Sequence, residues 1–357
     1  MASARTRLQL TLVEVWQRRG PVAWLLAPLS VLHLLGYTAR RALYALGLLR
    51  QSRLDVPVVV IGNLYVGGTG KTPLTIELVR ALASRGWRPG IVSRGYGGAG
   101  AIARMVRADD TAREVGDEPL LIARATRAPV SVARSRAAAA QLLRARHPEC
   151  DVLVADDGLQ HWSLARDMEI ALLHYRGLGN GWLLPAGPLR EPRGRLDEVD
   201  AIVCNGDVPA VAASAPRFAM RTMLGEARPL QGGASPEALN ALAAGQRRHR
   251  WRIVAAAGIG MPDRFFAMLR AAGVAIDELP LADHFDFAAN PFAGLAADRI
   301  LITEKDAVKC IANPAIAGDT RIWVVPLATE IDPRLVDAVV ARLQAISRRT
   351  ALGPSAA

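Results

Sequence analysis

The chain has 357 residues, more than one domain usually holds, with 51% hydrophobic and 22% charged residues and no low-complexity tract, which excludes a disordered chain and a repeat array. The net charge of +11 is concentrated in residues 1–53, which carry eight arginines and one acid, Glu14; no basic motif interleaved with aromatics follows, so no nucleic-acid partner is expected. Cys150, Cys204 and Cys310 are far apart and odd in number, the pattern of reduced thiols rather than of a disulfide framework or a zinc site.

The first element is apolar. Between Arg19 and Arg40 lie twenty uncharged residues, GPVAWLLAPLSVLHLLGYTA, long enough to span a bilayer core of roughly 30 Å. Pro21, Pro28, Ser30 and His33 inside the stretch, and arginines on both flanks, fit a helix lying on the membrane surface equally well. Residues 1–53 are therefore expected to form a membrane-associated helical segment.

From Val56 the pattern becomes short apolar runs separated by helical stretches, which predicts a parallel α/β sheet. The runs are 56–61, 90–94, 129–133, 151–156, 168–173 and 201–205, with helices opening near Lys71, Asp117 and Arg134. The loop 177–195, rich in Gly and Pro, has the length of a functional loop. An Ala/Pro-rich shift after Asp207 suggests a boundary, giving a P-loop domain over 54–207 and a smaller α/β domain over 208–357 with strands at 217–222, 251–257, 299–303 and 321–326.

The motif with the clearest chemistry is VVVIGNLYVGGTGKTP, a strand, a Gly-rich turn and a helix opening at Lys71-Thr72. Such a turn lets backbone N–H groups face phosphate oxygens, with Lys71 neutralising β/γ charge and the Thr72 hydroxyl on Mg²⁺. Position 65 is Tyr where the general pattern has glycine. Lysine itself is informative here, because Lys71, Lys305 and Lys309 are the only lysines among 44 cationic side chains. The run DVLVADDGLQHW ends a strand in Asp156 and Asp157, where P-loop proteins hold Mg²⁺. Lesser motifs are Ser93-Arg94-Gly95-Tyr96-Gly97-Gly98, with Arg94 as a phosphate contact, Gly116-Asp117-Glu118-Pro119, the loop carrying Arg190 and Glu191, and Asp283-His284.

In this order the motifs GNLYVGGTGKTP, SRGYGG, GDEP, DDGLQH, LLPAGPLREP, AGIGMPDRFF, ADHFDF and TEKDAVK, from residue 62 to 309, resemble the tetraacyldisaccharide 4'-kinase family of Gram-negative bacteria. The resemblance implies a P-loop NTPase-like parallel-sheet domain with a second, smaller α/β domain, acting at the cytoplasmic face of the inner membrane. It implies ATP and Mg²⁺ as cofactors, and transfer of the γ-phosphoryl group to the 4'-hydroxyl of a glycolipid, tetraacyl glucosamine disaccharide 1-phosphate. ATP contacts are implied for Tyr65, Val66, Gly67, Gly68, Thr69, Gly70, Lys71 and Thr72, metal contacts for Thr72, Asp156, Asp157 and Glu191, and nearby site roles for Arg94, Gln160, His161 and Arg190. Asp117 and His284 match a pair implied to activate the sugar hydroxyl. Tyr65 replaces an expected small hydroxyl residue, and Phe285 stands where a second histidine is common. The runner-up reading is a P-loop nucleotide switch or metallochaperone-type NTPase, but Thr303-Glu304-Lys305-Asp306 lacks the N/T-K-x-D spacing that reads guanine.

Overall fold

The computed structural model describes residues 15–95 and 102–351, so Tyr96, Gly97 and Gly98 of the SRGYGG motif lie outside the described residues. Helix α1, Pro21–Ala45, opens with proline at its first position, where a missing N–H costs nothing. It buries only Ala23 and Ser30, and leaves Trp24, Leu25, Leu29, Leu32 and Leu35 exposed. Its inner side runs along the 177–195 loop: Trp24 stands edge-on to Trp182, the Ser30 hydroxyl donates to the Leu183 carbonyl (2.8 Å), and His33 Nε2 donates to the Arg190 carbonyl (2.9 Å).

The large α/β unit follows as β1 Val58–Gly62, α2 Lys71–Ser84, β2 Pro89–Ser93, β3 Arg104–Met105, α3 Ala112–Val115, α4 Asp117–Thr126, β4 Val130–Val132, α5 Arg136–Arg146, β5 Val152–Ala155, β6 Met168–His174, β7 Ala201–Asn205 and β8 Arg217–Leu224. The small unit comprises β9 Arg228–Pro229, α6 Leu239–His249, β10 Ile253–Ala257, α7 Pro262–Ala271, β11 Asp277–Pro280, β12 Arg299–Thr303, α8 Glu304–Cys310, α9 Pro314–Ala317 and β13 Ile322–Val325. The chain then returns to the large unit as β14 Leu327–Ile331 and α10 Pro333–Ala351.

Nine strands form the large sheet in the order β14-β8-β7-β6-β1-β5-β2-β4-β3, parallel except at its two antiparallel edges. Every residue of β1, β2 and β5 is buried, as expected of parallel strands covered on both faces. One face packs against α2, α4 and α10 through Leu74, Leu78, Ile122, Leu335 and Val339; the other packs against α5 and the 159–199 segment through Ala139, Leu143, Leu159, Leu189 and Leu196. The small sheet, β11-β10-β12-β13-β9, is likewise covered on both faces, by Phe265 and Phe266 of α7 and by Phe287, Phe292 and Cys310.

The strand expected to open the small unit, 217–222, instead pairs parallel with β7 and extends the large sheet. The Ala/Pro-rich segment after Asp207 is thus a loop within the large unit, and the sheets divide the chain after β8 and again before β14. The composition shift marked an exposed crossover, not a change of core.

Candidate active site

The turn after β1 is shaped by glycine at the position where no side chain fits. Gly70, at φ 103°, precedes α2, and a Cβ there would meet Asn205 Nδ2 at 2.6 Å. Asn205, at the end of β7, donates to the Thr69 carbonyl (3.1 Å) and so fixes the loop from the neighbouring strand. Asn63 does the same from within: its Nδ2 donates to Thr69 Oγ1 (2.9 Å) and to the Tyr65 carbonyl, while its Oδ1 accepts from Lys71 Nζ (3.0 Å). Tyr65, the departure noted in the sequence, turns its ring inward. It is 2% exposed, lies edge-on to His174, and accepts at its hydroxyl from Gln17 Nε2 (2.9 Å). It therefore braces the loop, with Val66 N donating to the Pro188 carbonyl beside it (2.9 Å).

The two aspartates after β5 are shifted in opposite directions. Asp156 is fully buried, accepts from the Thr75 hydroxyl (3.0 Å), and is pushed up to about 6 by burial, then by the charges of Glu118 and Asp157. Asp157, at φ 48°, lies 3.4 Å from Lys71 Nζ and 3.1 Å from Arg190 Nη1. Burial pushes it up too, but Lys71 and Arg190 outweigh that and hold it at about 2. Gln160 links this group to the loop, accepting from Arg190 (3.2 Å) and donating to the Asn63 carbonyl (3.2 Å). His161 is kept neutral, down at about 3, by burial and by the cations of Arg136 and Arg94.

Oxygen donors of this kind, two carboxylates with the Thr72 hydroxyl at the start of α2, suit Mg²⁺, which takes one or two protein carboxylates and completes its shell with water and phosphate oxygens. Among the described residues no three His, Cys, Asp or Glu side chains form a metal cage. Glu191 is engaged elsewhere: it is buried, 3.3 Å from Arg195 Nε, and Arg195 also grips Glu169.

The small unit completes the cleft. Asp117 heads α4, where the helix N-terminus favours an anion, and its Oδ1 accepts from Glu118 N (2.9 Å). Its Oδ2 meets His284 Nδ1 at 2.9 Å. His284 is held at φ 57°, a strained conformation for a residue with a side chain, and its N–H donates to the Gly258 carbonyl (3.2 Å). Gly258 must lack a Cβ, which would meet Asp306 Oδ1 at 2.9 Å and Phe285 Cβ at 3.1 Å. Phe285, in place of a second histidine, packs edge-on against Phe287 and belongs to the core. Asp306 is fully buried and accepts from Gly258 N (3.0 Å) and the Thr303 hydroxyl (2.7 Å), so it presents nothing to a guanine base.

The structure brings Lys71, Asp157, Arg190 and Gln160 into one bonded group, with Asp156 next in the chain but bonded to Thr75, and Asp117 and His284 into another. Sequence reasoning missed Asn63, which no P-loop pattern names, and Arg136. The latter is 1% exposed, donates to the carbonyls of Asp156 (2.8 Å) and Asp157 (3.2 Å), and is lowered to about 10 by burial against the pull of those two carboxylates. A fully buried arginine at the start of a helix carries no sequence signal that separates it from the many others in this chain.

The chain is similar to known proteins over most of its length. A family model described as tetraacyldisaccharide-1-P 4'-kinase (LpxK) matches residues 22–344. Proteins named tetraacyldisaccharide 4'-kinase from Janthinobacterium sp. (strain Marseille) and Herminiimonas arsenicoxydans are 49% and 50% identical, each over 96% of this chain and over 99% and 98% of their own length. The crystal structure of LpxK from Aquifex aeolicus in complex with ATP superposes with a TM-score of 0.75 at 26% identity, covering 90% of this chain and 99% of that one. The chain belongs to the tetraacyldisaccharide-1-P 4'-kinase family.

Proposed function

We propose that the protein transfers the γ-phosphoryl group of ATP to the 4'-hydroxyl of tetraacyl glucosamine disaccharide 1-phosphate at a membrane surface, giving lipid IVA for lipopolysaccharide assembly. The observation that carries this reading is the Asp117–His284 contact, which sets a proton-accepting pair of the small unit and the large unit beside a P-loop.

The phosphates of ATP are received by the backbone of Tyr65, Val66, Gly67, Gly68, Thr69 and Gly70, with Lys71 leaving Asn63 and Asp157 to neutralise the transferring group. Thr72, Asp156 and Asp157 would hold Mg²⁺, which when bound would neutralise phosphate charge. Arg190 fixes Asp157, and Gln160 in turn accepts from Arg190. Arg94, directly after β2, and the neutral His161, which feels the charges of Arg94, Arg136 and Asp157, are assigned to the phosphate end of the site. The sugar hydroxyl is a poor nucleophile at neutral pH, so the Asp117–His284 unit takes its proton as the P–O bond forms.

The exposed leucines of α1, with Arg18, Arg19, Arg40 and Arg41 at its ends, suit the interfacial layer of an anionic membrane. A requirement for ATP together with a lipid acceptor supports the cytoplasmic face of the inner membrane as the site of the reaction. The test is direct: purified protein, labelled ATP and the tetraacyl disaccharide 1-phosphate in mixed micelles should yield a doubly phosphorylated lipid. Label released only as inorganic phosphate would reject the assignment.

A further inference from the structure

All three lysines of the chain converge on the cleft. Lys71 belongs to the P-loop, but Lys305 and Lys309 belong to no phosphate motif. They stand four residues apart on α8 and therefore on one face of that helix. That face looks at the head of α4. Lys305 Nζ lies 3.0 Å from Glu118 Oε1 and 3.8 Å from Asp117 Oδ2; Lys309 Nζ lies 3.9 Å from the same Asp117 oxygen and 3.0 Å from Asp306 Oδ1. One carboxylate oxygen of the large unit thus faces His284 and two ammonium groups, all from the small unit.

Lys309 is 7% exposed, with Asp306 and Asp117 flanking it and the Phe287 ring facing it at 5.2 Å. In a chain that uses arginine at 41 of its 44 cationic positions, a compact ammonium has been kept at both of these places beside the buried Asp117 carboxylate.

We infer that Lys305 and Lys309 are positioning residues for phosphoryl transfer: they hold Asp117 ionised and facing His284, and they make that state depend on the small unit being docked. This rests on the proposed role of the Asp117–His284 pair. Among the described residues, the charged groups around that pair include Glu118 on α4, Lys305, Asp306 and Lys309 on α8, and Asp283 beside His284. The sign of the effect does not depend on which member accepts the proton. Each lysine lowers the affinity of Asp117 for a proton, and Lys305, a like charge, also lowers that of His284. Removing Lys305 therefore raises the apparent pKa of the whole pair.

The experiment is the pH profile of kcat at saturating ATP and lipid for the wild type, Lys305→Met, Lys305→Arg and Asp117→Asn. Lys305 has partial access to solvent, so its removal leaves the fold intact, which thermal melts check. Lys305→Met is expected to move the acid limb up by about one pH unit, with KM for ATP unchanged, and Lys305→Arg to restore most of that shift. For Lys309 the variant is the double Lys309→Met with Asp306→Asn, which removes the buried ion pair together and should move the limb the same way. A fall in kcat with an unmoved acid limb, or a rise in KM for ATP instead, overturns the inference. Wild-type activity in Asp117→Asn would overturn the proposed base, a result distinct from either.

Discussion

His284 Nδ1 lies 2.9 Å from Asp117 Oδ2, across 167 residues of sequence and between two sheets that share no strand. Arg113 with Asp286 (2.9 Å) and Lys305 with Glu118 (3.0 Å) flank it, so the cleft is held shut by ion pairs at the point where the chemistry is proposed. The Arg113–Asp286 pair is exposed and contributes little singly, whereas Lys305 and Lys309 are largely buried against Asp117, so separating the two units would leave those charges without their partners.

If Asp117 and His284 act as one unit, each single alanine variant should lose kcat by on the order of a hundred- to ten-thousandfold, and the double variant should be little worse than the poorer single. The measurement is kcat for all three at saturating substrates. Losses that multiply would separate the two roles and leave His284 as a substrate contact.

Lys71→Ala should lower kcat on the order of a thousandfold with the melting temperature nearly unchanged, since a positioned cation stabilises transition-state charge by several kcal/mol. Its amine bonds Asn63 and Asp157 rather than packing in a core, so its loss costs the fold little. Near-normal turnover in the folded variant would remove the P-loop assignment.

The sequence carried the central strands well, because strands buried on both faces are written as unbroken apolar runs: 56–61, 151–156 and 168–173 became β1, β5 and β6. The edges were not legible. Strand β14 and helix α10 rejoin the large unit after a hundred residues of small sheet, and no local pattern tells which of two sheets an edge strand will extend. The same limit hid Lys305 and Lys309. TEKDAVK was weighed as a guanine motif and failed on spacing, yet the rarity of lysine in this chain was the signal that these two mattered. The resemblance implied a metal contact for Glu191; in the fold its buried carboxylate lies 3.3 Å from Arg195 Nε.

The membrane reading is tested on the exposed face of α1. Leu25 and Leu32 are 79% and 63% exposed, so Leu25→Glu with Leu32→Glu should leave folding and ATP affinity unchanged. Sedimentation with anionic vesicles should fall by about tenfold, and KM for lipid presented in bilayers should rise. Undiminished sedimentation would place the anchor elsewhere. Deleting residues 1–53 is a poorer test, because His33 holds the Arg190 carbonyl and Arg190 grips Asp157, so truncation is expected to lower kcat as well.

Asp156 offers a test of function held at the expense of stability. At about 6, against 3.8 for a solvated aspartate, its carboxyl binds a proton more tightly in the folded chain than in the unfolded one. Between roughly pH 4 and pH 6 the folded state therefore holds more protons, and stability falls as pH rises through that window. Above it, the full cost of a buried carboxylate is present, about 1–3 kcal/mol for a difference of this size. Asp156→Asn removes that cost while its amide oxygen can still accept from the Thr75 hydroxyl. In buffers with chelator, the variant should melt several degrees higher than the wild type at pH 8, show no advantage at pH 4, and be inactive at both. A variant less stable than the wild type at pH 8 would mean that Asp156 is held ionised by its neighbours, and that its charge stabilises the loop it now strains.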